Sequence, residues 1–222
     1  MWNREFWTVA LVCTGMTIFW HALDGEVNME AASSLEKTSP RLEKITLGGG
    51  CFWCLEPIFD DLKGVEDVKS GYSGGTVANP TYRQVCSGTT GHAEVIEITF
   101  DPAVLSLKEL LEIFFVFHDP TTLNRQGNDV GTQYRSAIFF TDDQQKAEAA
   151  SFIKELEEAK TFKNSIVTSL EPFTDFYPAE DYHQKFYANN PYQPYCQYSI
   201  PPKLNKLHKQ FSTLLKSHGK SV

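Results

Sequence analysis

The pattern of apolar and polar positions along the chain predicts strands and helices that are interspersed. Apolar and polar residues alternate from Ala93 to Phe100, which is typical of a half-buried strand, and apolar residues recur at helical spacing from Ser106 to Phe117. The predicted strands are 44–47, 65–72, 93–100, 134–140 and 166–170. The predicted helices begin at residue 53 and then cover 82–86, 106–117, 142–163, 181–187 and 202–217.

The order of these elements predicts the fold class. Strands that alternate with helices in this order favour an α+β fold, a two-layer α/β sandwich with a mixed sheet and a ferredoxin-like core. Residues 173–195 are rich in aromatic residues, proline and asparagine. We therefore expect a long irregular C-terminal tail after the last predicted strand.

The first forty residues differ in character from the rest. Arg4 precedes an apolar run over 6–20, which is shorter than the span of about 20 residues that a membrane helix needs but suits the apolar region of a signal peptide. We interpret 1–23 as a signal peptide or short membrane anchor, 24–41 as a polar linker and 42–222 as one folded domain. This predicts export or anchoring, with the domain in the periplasm; a cytoplasmic location is the alternative.

Charge and cysteine content narrow the possible functions. The 222 residues carry a formal net charge of −8, with lysine and arginine scattered, so we expect no nucleic-acid partner. The five cysteines are too few and too unevenly spaced for a disulfide scaffold. They indicate redox or catalytic thiols.

Cys51 is the predicted nucleophile. It lies between a glycine-ended strand and the first turn of a helix, where unpaired N–H groups and the helix dipole favour a thiolate, so we expect a lowered pKa. The adjacent Phe52 and Trp53 can form the wall of an apolar pocket. A buried structural cysteine is the alternative, since free cysteine is among the most buried residue types.

Glu94 is an anomaly in the third predicted strand. Strand periodicity places it on the same face as Ile96 and Ile98. A carboxylate among core-facing side chains is costly unless it is paired or protonated, and such a position is typical of a functional group.

Five separated segments, in this order, resemble the peptide methionine sulfoxide reductase A family. They are Gly50-Cys51-Phe52-Trp53, Gly91-His92-Ala93-Glu94-Val95, His118-Asp119-Pro120, Arg125-Gln126-Gly127-Asn128-Asp129 and Gln133-Tyr134-Arg135-Ser136. The resemblance extends from about residue 47 to 196. It implies reduction of the S epimer of methionine sulfoxide, free or in oxidised proteins, to methionine, by a monomer with no cofactor and no metal.

The resemblance also implies roles for individual residues. Cys51 would attack the sulfoxide sulfur while Glu94, kept protonated by its apolar surroundings, donates a proton to the oxygen. The implied substrate-binding residues are Phe52 and Trp53 for the S-methyl group and Tyr82, Tyr134 and Asp129 for the sulfoxide oxygen and its surroundings.

Two cysteines compete to resolve the sulfenic acid that attack leaves on Cys51. Cys54 completes a C-x-x-C motif at a position where relatives often have glycine or another small residue, and Cys196 lies in the tail where many relatives keep a resolving cysteine. We favour Cys54, which lies one helical turn from Cys51, and keep Cys196 open. A thioredoxin-type partner would reduce the disulfide. Cys86, His92 and His183 are interpreted as structural.

Two other functions are compatible with parts of the sequence. Cys51-x-x-Cys54 also suits a thioredoxin-like dithiol/disulfide oxidoreductase, although that function gives Glu94 no role. A zinc-binding module is disfavoured, because the sequence holds a single C-x-x-C and no matching second pair of ligands.

Overall fold

A computed structural model describes residues 41–217. The predicted signal peptide or anchor at 1–23 and nearly all of the predicted linker at 24–41 lie outside the described residues. No helix within the described range is long and apolar enough to cross a membrane.

A six-stranded mixed sheet forms the framework of the described part. Its strands are β1 Glu43–Gly49, β2 Val65–Ser73, β3 Ala93–Phe100, β6 Ser136–Phe140, β7 Ser169–Pro172 and β8 Phe176–Pro178; the two-residue strands β4 Arg125–Gln126 and β5 Asp129–Val130 form a separate hairpin. The order is β7-β6-β1-β3-β2-β8, and only the β6–β7 pair is parallel. The predicted α+β class with a mixed sheet is confirmed.

Helices connect and cover these strands. They are α1 Phe52–Asp60, α2 Tyr82–Cys86, α3 Leu107–Phe117, α4 Asp143–Glu158, α5 Phe186–Asn189, α6 Pro194–Ser199 and α7 Pro201–Gln210, with short 3-10 turns at Thr132–Tyr134, Asp181–His183 and Ser212–Leu214. One sheet face supplies Ile45, Leu47, Ile96 and Ile98 to the main core, which also contains apolar side chains of α1 and α3. The opposite face forms a smaller cluster around Val95 and Phe139.

The boundaries of four predicted elements need correction. The helix predicted over 142–163 ends at Glu158, because Lys160 adopts a left-handed φ of 52° and the N–H groups of Lys160 and Thr161 bond back to Glu157 O and Leu156 O. The strand predicted from residue 134 begins at Ser136, after a 3-10 turn, and the one predicted over 166–170 is Ser169–Pro172. The last predicted helix, 202–217, is α7, which ends at Gln210.

His118 joins α3 to β6 inside the core. Its Nδ1–H donates to Phe114 O at 2.6 Å, so its Nε2 is an acceptor and receives the hydroxyl of Ser136 at 2.8 Å. Its ring also stacks on that of Phe114, with 3.9 Å between ring centroids. Burial lowers the pKa of His118 to about 4, so the ring is neutral at neutral pH.

The buried His118 predicts a loss of stability in acid. The unfolded chain gains a proton at this residue near pH 6.5. The native state gains it only near pH 4. The free energy of unfolding therefore falls as the pH drops through this window, by about 3 kcal/mol from His118 alone. Denaturant unfolding over this pH range measures the slope.

His118→Asn is the comparison variant, because it keeps a donor for Phe114 O but does not titrate. We expect this variant to be less stable at neutral pH. Its free energy of unfolding should change less steeply with pH between about 4 and 6.5, because it lacks the titration of His118 and shares every other titrating group with the wild type. Equal slopes would contradict the assignment of a neutral native His118.

Candidate active site

Cys51 lies where β1 passes into α1. Gly50 makes this turn with φ +92°, a conformation that favours glycine, and a Cβ at Gly50 would lie 2.5 Å from Gln126 Cγ. Cys51 is the N-cap of α1 and is half-buried, and its carbonyl accepts the N–H of Cys54 at 3.0 Å. The two thiols thus lie one helical turn apart at the start of α1.

Glu94 lies beneath this turn, on the core face of β3, and is 1% exposed. Its Oε2 accepts the backbone N–H of Phe52 at 3.2 Å. Burial raises the pKa of Glu94 to about 8 against the opposing effect of this hydrogen bond, and the charges of Asp129 and Cys54 add to the rise. Glu94 is therefore mostly protonated at neutral pH and can act as a proton donor.

Aromatic rings surround the start of α1. Phe52 is fully buried, and Trp53 is half-buried and stacks on Phe186 at 3.8 Å between ring centroids with 9° between the planes. The ring centroid of Tyr82 lies 6.5 Å from the ring centroids of Phe52 and of Trp53. Tyr82 is the first residue of α2, whose start is fixed by a capping box between Thr81 and Gln84.

Two tyrosines can serve as hydrogen-bond donors here. Burial raises the pKa of Tyr82 and of Tyr134 above the usual value, and the negative charge of Glu94 adds to both shifts. Tyr134 ends the 3-10 turn before β6 and lies within electrostatic reach of Cys51 and Asp129. Both phenols therefore stay protonated at neutral pH.

A cleft of about 250 Å³ opens over the two thiols. Its lining includes Cys51, Cys54, Asp129, Tyr195 and Lys203. Burial raises the pKa of Asp129 and the charge of Lys203 lowers it. The structure therefore brings the predicted residues Cys51, Cys54 and Asp129 together with two residues of the C-terminal tail.

The two thiols share one proton at neutral pH. A hydrogen bond from Cys51 lowers the pKa of Cys54 to about 6 against the opposing effect of burial, and the charge of Lys203 and a hydrogen bond with Tyr195 add to the fall. The Tyr195 Oη to Cys54 Sγ distance is 3.1 Å.

The pKa of Cys51 differs from expectation. The same hydrogen bond to Cys54, together with burial and the charge of Glu94, raises the pKa of Cys51. The prediction of a lowered pKa at Cys51 is therefore wrong for the free pair, because the hydrogen bond between the thiols favours ionisation of Cys54 and the charge of Lys203 also acts on Cys54. A hydrogen bond with Tyr195 lowers the pKa of Cys51 but does not offset the rise.

The remaining cysteines of the described part are also free thiols. Cys196 is fully buried in α6, in one apolar cluster with Cys54 and Phe186, and burial together with the charge of Cys54 raises its pKa. Cys86 is exposed at the end of α2, next to the hydroxyl of Tyr82. Within the described range no cluster of histidine, cysteine and carboxylate side chains suits a metal ion.

Sequence reasoning missed several residues of the site. His92 fits its structural interpretation, since its Nδ1 accepts the N–H of Gly75 at 3.0 Å and its Nε2–H donates to Val77 O at 2.8 Å. His183, in contrast, accepts the indole N–H of Trp53 at 3.1 Å. Tyr195 and Lys203 both lie in the C-terminal tail, far in sequence from Cys51 and Cys54. The one local signal for either residue is that Tyr195 directly precedes Cys196.

Comparisons with known proteins give a consistent result. A family model described as peptide methionine sulfoxide reductase matches residues 43–215. Peptide methionine sulfoxide reductase MsrA of Trichodesmium erythraeum is 56% identical over 170 residues, 77% of this chain and 96% of that protein. The protein of the same name from Chromobacterium violaceum is 56% identical over 176 residues, 79% of this chain and 100% of that protein.

Two solved structures are also similar. Reduced Mxr1 from Saccharomyces cerevisiae gives a TM-score of 0.64 at 38% identity, covering 72% of this chain and 90% of that chain. Methionine sulfoxide reductase A of Corynebacterium diphtheriae gives a TM-score of 0.61 at 36% identity, covering 71% of this chain and 80% of that chain.

Lys203 and Lys206 provide a matched test of the thiol electrostatics. Both amines donate to carbonyl oxygens at the end of α3, Lys203 to Phe117 O at 3.2 Å and Lys206 to Val116 O at 3.0 Å. Lys203 alone of the two lines the thiol cleft. We expect Lys203→Met to raise the pKa of Cys54 by about one pH unit or less, and Lys206→Met to leave it unchanged.

The pH dependence of thiolate ultraviolet absorbance measures this pKa, with Cys54→Ser as the blank. Equal shifts of the Cys54 pKa in the two lysine variants would contradict this expectation. The pKa would then depend on the lysine hydrogen bonds to the last carbonyl groups of α3, and not on the charge of Lys203 beside the thiols.

Proposed function

The chain belongs to the peptide methionine sulfoxide reductase family, and on this premise we propose that it reduces methionine S-sulfoxide to methionine through Cys51. The substrates are the free amino acid and oxidised proteins. The observation that carries the mechanism is the buried Glu94 carboxyl, held protonated beside the Cys51 turn. The enzyme is thus an oxidoreductase that acts on a sulfur group.

Substrate binding follows from the arrangement of side chains. The S-methyl group packs against Phe52 and Trp53, while the sulfoxide oxygen faces the protonated Glu94 and the hydroxyls of Tyr82 and Tyr134. These polar groups are partly or fully buried, so they are poorly hydrated and available for the ligand. Asp129 borders the same cleft.

The reductive step needs an acid and a thiolate together. A sulfoxide sulfur becomes electrophilic when its oxygen is protonated, which is the role of Glu94. The proton of Cys51 passes along the thiol hydrogen bond to Cys54, and the Cys51 thiolate attacks the sulfur. Methionine leaves and the oxygen stays on Cys51 as a sulfenic acid, so the substrate sulfur is reduced by two electrons and the cysteine sulfur is oxidised by two.

Cys54 then resolves the sulfenic acid. Its sulfur attacks Cys51 Sγ, water leaves, and a Cys51–Cys54 disulfide forms. Helical geometry supports this choice, since Cys54 is held one turn from Cys51, whereas Cys196 shares a buried cluster with Cys54. A dithiol protein of the thioredoxin type reduces the disulfide and restores both thiols.

We propose a ferredoxin-like core for this fold. The antiparallel order β6-β1-β3-β2, with α1 and α3 packed in the main core, supports a ferredoxin-like core. We propose a monomeric catalytic domain over 42–222, and a long irregular C-terminal tail within it that holds mostly short elements. The apolar run after Arg4 supports a signal peptide or anchor at 1–23, a linker at 24–41 and a periplasmic location.

A dithiol oxidoreductase is the second candidate. One observation favours it, namely a hydrogen-bonded C-x-x-C pair in which one thiol has a lowered pKa. It needs no proton donor at Glu94. The two functions therefore differ in whether sulfoxide is consumed.

A single turnover without added reductant separates these functions. Reduced full-length protein is mixed with excess methionine S-sulfoxide, released methionine is quantified, and the cysteines are mapped by mass spectrometry. We expect stoichiometric methionine and a Cys51–Cys54 disulfide in the wild type, and neither in Cys51→Ser.

Two further cysteine variants identify the resolving thiol. Cys54→Ser should still release methionine but retain a sulfenic acid that a dimedone probe traps, whereas Cys196→Ser should form the Cys51–Cys54 disulfide normally. The R epimer is the substrate control. A Cys51–Cys196 disulfide in the wild type would contradict the role of Cys54, and absence of methionine would favour dithiol exchange.

Glu94 predicts the pH profile of this single turnover. The rate of methionine formation should fall as the pH rises through about 8, because the carboxyl loses its proton. Glu94→Gln should lower the rate by about 10²–10⁴-fold and remove this limb.

Glu97→Gln is the matched control, since Glu97 lies three residues further along β3 and pairs with Lys44 at 2.8 Å, outside the cleft. It should keep the wild-type profile. Undiminished turnover in Glu94→Gln would refute the role of Glu94 as the acid.

A further inference from the structure

His183 lies at the centre of the aromatic residues that surround the proposed substrate position. It ends the 3-10 turn Asp181–His183 and is 1% exposed. Its ring centroid lies 4.4 Å from that of Tyr82, 5.3 Å from that of Phe52 and 5.5 Å from that of Trp53. One imidazole therefore contacts both aromatic residues of the methyl pocket and one hydroxyl donor.

A single directional bond joins His183 to Trp53. The indole Nε1–H of Trp53 donates to His183 Nδ1 at 3.1 Å. An indole nitrogen can only donate, so Nδ1 is unprotonated and the neutral ring carries its proton on Nε2. Burial lowers the pKa of His183, which favours this neutral form.

The other ring nitrogen of His183, Nε2, contributes little to fixing the position of the ring. Within the described residues Nε2 has no hydrogen-bond partner, and the nearest carboxylate oxygen, Glu180 Oε2, is 4.0 Å away. The bond to Trp53 is thus the hydrogen bond that this buried ring makes. A buried imidazole whose hydrogen bond goes to a pocket residue is well placed to orient that residue.

Among residues 41–217, the other contacts of Trp53 are ring contacts without a hydrogen bond. The ring centroids of Phe52 and Tyr82 lie 6.2 Å and 6.5 Å from that of Trp53. Trp53 stacks on Phe186 with nearly parallel planes, and Tyr195 meets it edge-on at 5.9 Å. Stacking restrains the indole perpendicular to its plane, but dispersion contacts change little when one ring slides or turns over the other. The hydrogen bond to His183 fixes the in-plane orientation.

The same turn also positions the opposite side of the pocket. Glu180, directly before the turn, accepts the N–H of Tyr82 at 2.9 Å and the hydroxyl of Tyr72 at 3.0 Å. Glu180 thereby holds the start of α2, which carries the Tyr82 hydroxyl. Residues 180–183 therefore contact both the proposed methyl-binding and oxygen-binding sides.

We propose that His183 is a positioning residue that orients the Trp53 indole and so determines how closely the pocket fits the S-methyl group of the substrate. This inference rests on the proposed function, in which Trp53 binds that methyl group. A misoriented indole would leave the pocket wider, so both the affinity for methionine sulfoxide and the discrimination against a longer S-alkyl group would fall.

Two substitutions separate the hydrogen bond from the bulk of the ring. In His183→Asn the amide oxygen occupies the place of Nδ1 and accepts the indole N–H, whereas His183→Leu provides no acceptor. We expect His183→Leu to raise the half-saturating methionine sulfoxide concentration in single turnovers by about tenfold with little change in the maximal rate, and His183→Asn to stay near the wild type. The preference for methionine sulfoxide over ethionine sulfoxide should fall in His183→Leu and stay near the wild-type value in His183→Asn.

Trp53→Phe completes a double-mutant cycle. Phenylalanine keeps the stack on Phe186 but has no N–H, so His183→Leu should change neither half-saturation nor the methyl preference in that background. The indole N–H resonance of Trp53, identified by its loss in Trp53→Phe, should remain shifted and slow to exchange in His183→Asn and lose both properties in His183→Leu. If His183→Leu does not fold, as judged by thermal unfolding, His183→Phe takes its place, because a phenyl ring fills the site but offers no acceptor to the indole N–H.

The outcomes separate this inference from the proposed function. Absence of methionine from the wild type would overturn the proposed function. Methionine release with unchanged half-saturation and unchanged methyl preference in His183→Leu would overturn the positioning role alone. An equal effect of His183→Leu in the wild-type and Trp53→Phe backgrounds would also overturn it, because the effect would then come from packing against Phe52 and Tyr82.

Discussion

The buried carboxyl of Glu94 is the constraint on which the rest of the site depends. The alternation of β3 turns this side chain toward the core, and its one hydrogen bond to protein in the described part comes from the N–H of Phe52, at the start of the helix that carries the thiols. Removal from water raises its pKa to about 8, so the group stays neutral in conditions where an exposed carboxyl is charged. A charged Glu94 would also disfavour a thiolate at Cys51. Protonation of the carboxyl and ionisation of the thiol pair are therefore linked.

Helix α1 is held from two sides by buried carboxyl groups. Glu94 of β3 accepts an N–H at the start of α1, and Glu56 within α1 accepts the N–H of Lys185 at 2.8 Å, where the tail adopts a left-handed φ of 49°. Burial raises the pKa of both carboxyl groups, because removal from water destabilises their charged forms. Each hydrogen bond to α1 or to the tail is therefore made by a group that is costly to bury. The bond from Lys185 places the next residue, Phe186, against Trp53. The tail thus completes a site that the sheet and α1 begin.

Local sequence patterns were informative where the structure is determined locally. The alternation over 93–100 predicts β3 with its observed boundaries and predicts that Glu94 faces the core. The glycines before Cys51 predict the turn between β1 and α1 at which Cys51 lies. The end of α4 was missed because a lysine, and not glycine, occupies the left-handed position that closes it. The pKa order of the two thiols was missed for another reason. The hydrogen bond between the thiols lowers the pKa of Cys54, and no sequence pattern gives the direction of that bond; the charge of Lys203, which adds to the fall, reaches Cys54 only through tertiary folding.

The resting charges of the three groups are consistent with the chemistry proposed for them. The thiol pair holds one proton and one negative charge, and Glu94 holds a second proton. Reduction of one sulfoxide and formation of the Cys51–Cys54 disulfide release one water, which takes up two protons. Both protons are in the site before the substrate arrives, one on the thiol pair and one on Glu94. The negative charge that the thiols lose on forming the disulfide is left on Glu94, whose raised pKa then favours its reprotonation from solvent before the next turnover.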